Sequence, residues 1–130
     1  MNNILSVKNL DKTYHTEMGE IKAIDNISFD LKKEEFLSIV GSSGCGKSTL
    51  LNIIANIESA SSGKIIKDNN LKIGYMPQED ALFPWLNVLD NACLGLVIRN
   101  EKTKDNIKYV KTLLCTYGLK NFLDKYPSQL

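Results

Sequence analysis

Gly41-Ser42-Ser43-Gly44-Cys45-Gly46-Lys47-Ser48 fits the GxxxxGK[ST] pattern of a phosphate-binding loop, and Thr49 follows it. A chain with this octapeptide has few ways to fold, because the loop needs a strand to deliver it and a helix to leave it. Both flanks suit. Phe36-Leu37-Ser38-Ile39-Val40 is a mostly apolar run ending at a glycine, as expected of a strand covered on both faces. From Lys47, the residues Leu50, Leu51, Ile53, Ile54 and Ile57 recur at helical spacing, and Ser59 to Gly63 is expected to end that helix. Glycines at 41, 44 and 46 let successive N–H groups turn inward as an anion nest. The helix adds free N–H groups and a positive dipole end. Lys47 is expected to reach the β- and γ-phosphates of a nucleotide. Ser48 is expected to offer its hydroxyl to Mg²⁺, which prefers few protein ligands beside phosphate oxygens. The expected binding surface is the whole stretch, with Ser42, Ser43, Cys45 and Thr49 included; at Cys45 the backbone matters and the thiol is expected to be incidental.

The remaining sequence places this unit in an α/β chain with a mixed sheet first and helices last. Ile4 to Leu10 alternates weakly, and Ala23 to Leu31 carries Ile27, Phe29 and Leu31 at period two; both read as strands. Lys64 to Lys67 and Leu71 to Met76 read as short strands around an Asp68-Asn69-Asn70 turn. After Pro77 the pattern turns helical. Trp85, Val88, Leu89, Ala92, Cys93 and Leu96 share one face, with Asn87 and Asp90 resembling a capping box. Thr103 to Tyr117 is a second helix stopped at Gly118, and Leu119 to Tyr126 a short third ended by Pro127.

The inventory removes whole classes of chemistry. With 16 Lys+Arg against 15 Asp+Glu, the net charge of +1 gives no footprint for nucleic acid. His15 is the only histidine, so neither a Ser/His/Asp triad nor a multi-histidine metal site can be built. Cys45, Cys93 and Cys115 are scattered, without a CxxC pair, and are expected to be free thiols. No apolar run reaches the roughly 18 residues of a membrane span, and Met1 to Ile4 does not begin a signal peptide. A cytoplasmic chain is expected.

With these motifs in place, the chain resembles the ATP-binding subunit of ABC transporters along its whole length. Leu10-Asp11-Lys12-Thr13-Tyr14 looks like the family's A-loop, which implies Tyr14 as the platform for adenine; a Tyr packed at a strand end is the other reading. Gly74-Tyr75-Met76-Pro77-Gln78 looks like the Q-loop. The resemblance implies that Gln78 approaches Mg²⁺ and the attacking water. Gln78 to Trp85 and Val88 to Leu96 are similar to the branch serving importers of nitrate, aliphatic sulfonates and taurine. It implies a P-loop NTPase fold, ATP with Mg²⁺, and a second ATP-binding subunit arranged head to tail. It also implies a membrane permease contacted around Phe83, Pro84 and Trp85, although Phe83 and Trp85 suit a core equally well.

The departures are large. Tyr126-Pro127-Ser128-Gln129-Leu130 looks like the lead-in to the family's LSGGQ signature, with Leu130 as its first letter. No apolar run followed by Asp-Glu supplies the Walker B carboxylates, and His15 lies at the wrong end to be the switch histidine. The expectation is the N-terminal portion of such a domain, with 1–84 belonging to the ATP-binding core and 85–130 beginning the helical subdomain. It is expected to bind ATP without hydrolysing it, peripherally on the inner face of the membrane through the permease. A non-hydrolysing nucleotide-binding module is the alternative. A small kinase is a further one, disfavoured because Arg99 is the only arginine and no acceptor-side base is evident.

Overall fold

The computed structural model describes residues 3–130. The chain divides into two compact units, one ending at Met76 and one spanning Pro77–Leu130. The division falls ahead of the 84/85 boundary expected from sequence and puts Gln78, Phe83 and Pro84 in the second unit.

The first unit is built on a hairpin of β1 (Asn3–Thr16) and β2 (Gly19–Lys32), with β3 (Ser62–Lys67) on the other side of β1. Both pairings are antiparallel, so the sheet among the described residues is not the mixed one expected. Leu5 and Val7 alternate onto the buried face, yet the next buried residue of β1 is Leu10. The slip comes from a bulge. Asn9 and Asn26 both take positive φ, 48° at Asn26, and the β1–β2 register shifts between Val7 and Leu10. Asn is the non-glycine residue that best tolerates this conformation. Asn9 N donates to Ser28 Oγ at 2.8 Å, and Asn9 Nδ2 to Asn26 Oδ1 at 2.8 Å, so the bulge satisfies its own polar groups. The extra residue returns Leu10 to the core face. There Leu5, Val7, Leu10 and Ile24 pack with Leu50 and Ile53 of α1 (Lys47–Ile54).

Three further expectations are corrected in this unit. Phe36–Val40 forms no strand, and Phe36 and Val40 are 92% and 91% exposed. Leu71–Met76 forms none either. A strand exists through its ladder partners, and the three strands of the described residues pair only with one another. Finally, α1 ends at Ile54 and not near Ser59. Asn56 takes a left-handed φ of 60°, Ile57 N donates to Asn52 O, and Asn56 N donates to Ile53 O. That pair of bonds is the Schellman closure. The Asp68 turn forms as expected, with Leu71 N donating to Asp68 O and Asn70 N to Asp68 Oδ1.

The second unit pairs α2 (Val88–Ile98) with α3 (Lys104–Thr116) around the fully buried Cys93. Asn87 caps α2 by accepting from Asp90 N at 2.8 Å, and Thr103 caps α3 by accepting from Asn106 N at 3.2 Å. The expected third helix is reduced to 3₁₀ turns at Lys120–Phe122 and Pro127–Gln129. The carbonyls of Leu123 and Lys125 accept instead from the amides of Leu89 and Val88, so this segment spends its acceptors on the open end of α2.

Candidate functional site

The phosphate loop leaves no side chain over the start of α1. Gly46 occupies the N-cap with φ 90°, makes no side-chain cap, and is followed by a first turn without an acidic residue. The amides there stay available to an anion, and the positive end of the helix adds to them. Gly44 also has a positive φ, 77°. At Gly46 a second constraint joins the first, since a Cβ would lie 2.1 Å from Ala23 O of β2. Only glycine lets the loop approach the hairpin so closely.

A cavity of about 280 Å³ opens at this point, lined by Tyr14 of β1, Ile21, Lys22 and Ala23 of β2, and Gly44, Gly46, Lys47, Ser48 and Thr49. Its charged lining is cationic, with no carboxylate among these residues. Lys47 Nζ donates to Gly41 O at 2.8 Å and Ser42 O at 2.6 Å, and approaches Cys45 Sγ at 3.4 Å. The ammonium is thus already gathered to the loop. The Cys45 thiol, expected to be incidental, takes part in that contact. Gly41, Ser42 and Cys45 reach the cavity only through Lys47, and Ser43 is exposed outside its lining.

Tyr14 faces Ile21 across the ladder, and its hydroxyl lies 3.3 Å from Thr49 Oγ1. The residue expected at the base end therefore touches the residue expected at the phosphate end. Lys22 is directed to carboxylates: Asp25, beside it on β2, raises its pKa first, and its Nζ lies 3.5 Å from Asp11 Oδ1. Asp11 is in turn held below its ordinary value, first by the amide of Asn26 and then by Ser62 Oγ. Sequence reasoning missed Ile21, Lys22 and Ala23. The signal was the hairpin itself, since Thr16 pairing with Gly19 brings this stretch of β2 opposite Tyr14.

The other expected residues lie in the second unit. Gln78 is exposed at a bend. Phe83 and Trp85 lie with ring centroids 4.9 Å apart, and Trp85 is 68% exposed, so core packing does not hold it. Asn91, which sequence reasoning passed over, fastens the loop that presents them. Its Oδ1 accepts from Phe83 N at 2.8 Å, and its Nδ2 donates to the carbonyls of Phe83, Leu86 and Asn87. Among the described residues, no group of three or more His, Cys, Asp or Glu could hold a metal, and no helix is long and apolar enough to cross a membrane.

The ABC transporter family model matches residues 24–130. An uncharacterised ABC transporter ATP-binding protein of Methanocaldococcus jannaschii is 36% identical over 97% of this chain and 49% of its own length. The aliphatic sulfonates import ATP-binding protein of Bacillus cereus is 34% identical over 97% of this chain and 51% of its own. The lipoprotein-releasing system ATP-binding protein of Colwellia psychrerythraea is 34% identical over 100% of this chain and 56% of its own. The chain thus spans about half the length of the curated relatives it matches. Among solved structures, a dimeric ATP-binding cassette in a post-hydrolysis state with ADP and Pi superposes with a TM-score of 0.85. That likeness is at 32% identity and covers 97% of this chain and 62% of the cassette.

Proposed function

The chain belongs to the ABC transporter family, and from that premise we propose that it binds ATP with Mg²⁺ and serves in an ATP-binding subunit that energises uptake of a small anion. The observation that carries the nucleotide reading is the cavity. Lys47, Ser48 and Thr49 line it at an uncapped helix start, and no carboxylate does. That donor set fits a polyphosphate. The loop amides and the first turn of α1 receive phosphate oxygens. Lys47 transfers its donors from the carbonyls of Gly41 and Ser42 to the β- and γ-phosphates. Ser48 would offer its hydroxyl to Mg²⁺, which would supply positive charge against the phosphates. Tyr14 receives the base in this proposal.

The import of an anion such as nitrate, a sulfonate or taurine is supported by the sulfonate-import relative and by the stretch Gln78 to Leu96. The Colwellia psychrerythraea relative favours a second reading, an ATP-binding subunit of a lipoprotein-releasing system. In either, the permease contact is proposed at Phe83, Pro84 and Trp85, supported by the exposed aromatic pair. A head-to-tail pairing with a second ATP-binding subunit is supported by the dimeric cassette. The protein then sits on the inner face of the membrane. Uptake of labelled nitrate, taurine and alkanesulfonate by cells with and without the gene separates the import reading from the lipoprotein one.

Lys47→Ala tests the nucleotide site. It removes the charge expected to face the β/γ-phosphates and leaves the loop glycines in place, so Mg-ATP binding should disappear in calorimetry. Unchanged affinity would overturn the assignment of the loop.

A further inference from the structure

We propose that Lys12 and Glu58 are positioning residues for the nucleotide base, holding the Tyr14 ring as the surface on which the base rests. This inference rests on the ATP reading above and names what in this chain fixes the base end of that site. Lys12 stands two residues before Tyr14 on β1, and its Nζ lies 4.9 Å from the centre of the Tyr14 ring, within cation–π range. The same ammonium is 3.0 Å from Glu58 Oε1 and donates to Ser59 O at 2.8 Å. The two side chains are only 13% and 24% exposed. With three partners and little water, this ammonium has one place to be. The loose surface pair, which contributes almost nothing, is a different case.

The Tyr14 hydroxyl is fastened as well. Glu58 is held below its ordinary carboxyl value, first by a hydrogen bond from Tyr14 and second by Lys12. The Tyr14 hydroxyl also lies 3.3 Å from Thr49 Oγ1 on the first turn of α1. β1, the first turn of α1 and the segment just after α1 thus meet on one aromatic ring. Its hydroxyl is tied and one face is covered by an ammonium, while the residue still lines the cavity beside Gly44, Lys47 and Thr49. A tyrosine that served only to fill a core has no need of a cationic face partner at a cavity wall. One that must stay flat for a base gains from it, because a fixed platform loses little entropy when the base arrives.

The test compares Mg-ATP with Mg-tripolyphosphate, which has no base, by calorimetry on the full protein. Lys12→Met and Glu58→Gln should each weaken ATP about three- to tenfold, part of what base stacking contributes, and leave tripolyphosphate affinity unchanged. Lys12→Arg should retain ATP affinity, because a guanidinium keeps both the ring contact and the ion pair. Tyr14→Ala should remove the preference for ATP over tripolyphosphate, and Tyr14→Trp should keep it. If Tyr14→Ala removes the preference and Lys12→Met and Glu58→Gln do not, the positioning role is wrong and the ATP reading stands. Equal losses of both ligands in Lys12→Met and Glu58→Gln would show a merely structural clamp and also overturn the proposal. A wild-type protein that binds neither ligand overturns the ATP reading itself, and the proposal with it.

Discussion

Glu58 joins chemistry to stability at the scale of one residue. Its carboxyl is held below the ordinary 4.5, first by Tyr14 and then by Lys12. A folded value below the unfolded one means that the unfolded chain takes up its proton first as the pH falls. The stabilising contribution is then fully present above 4.5 and is lost as the pH drops through the folded value. Urea denaturation should therefore show wild type more stable than Glu58→Gln at neutral pH, with the gap closing in acid. A gap that stays constant would mean that the carboxylate charge plays no part. Asp11 is lowered in the same sense, first by the Asn26 amide, so only the difference between variants isolates Glu58. Lys47 and Ser48 were legible because they belong to a motif of eight consecutive residues. Lys12 and Glu58 were not, because each carries an ordinary surface charge and their meeting depends on where α1 ends.

The ends of the three helices follow one rule. Each closes with a residue in left-handed conformation: Asn56 after α1, Asn100 after α2 and Gly118 after α3. In each, the next amide reaches back to a carbonyl in the last turn, Ile57 to Asn52, Glu101 to Leu96 and Leu119 to Leu114. Gly118 was readable as a stop, whereas Asn56 was passed over in favour of the serine-rich stretch after it. Asn100→Ala should cost up to about 1 kcal/mol, because it keeps the Cβ and loses the short polar side chain that lets asparagine tolerate a left-handed turn, while Asn100→Gly, which removes the Cβ, should cost nothing or stabilise slightly. Chemical denaturation followed by the fluorescence of Trp85, the only tryptophan, checks this in the unit that contains both residues. Equal stability of the two variants would show that the turn does not need that conformation. The same preference of asparagine for positive φ shifts β1 at Asn9, which a strict period-two reading of Ile4 to Leu10 does not anticipate.

For the whole molecule, the proposed nucleotide site is a set of donors. The cavity supplies amides, hydroxyls and Lys47, with no carboxylate in its lining, and the described residues hold no acidic cluster for a metal. Phosphoryl transfer depends on positioned charge, and losing one such group costs about 10²–10³ in rate. Under the proposed function, residues 1–130 expressed alone are expected to release no phosphate from ATP. Mg²⁺-dependent release that vanishes in Lys47→Ala would show a complete active site. The sequence by itself determined the loop, the helix that leaves it, the cap at Asn87 and the stop at Gly118, because each is set by neighbours within a turn or two. Tertiary structure decided whatever needed a distant partner. Phe36–Val40 has strand composition but no ladder among the described residues, and Leu119 to Tyr126 gives up a helix to cap α2. The Tyr14 clamp likewise required β1, α1 and Glu58 to arrive together. Local propensity has a range of a few residues, and hydrogen-bond and charge partners across the fold do not.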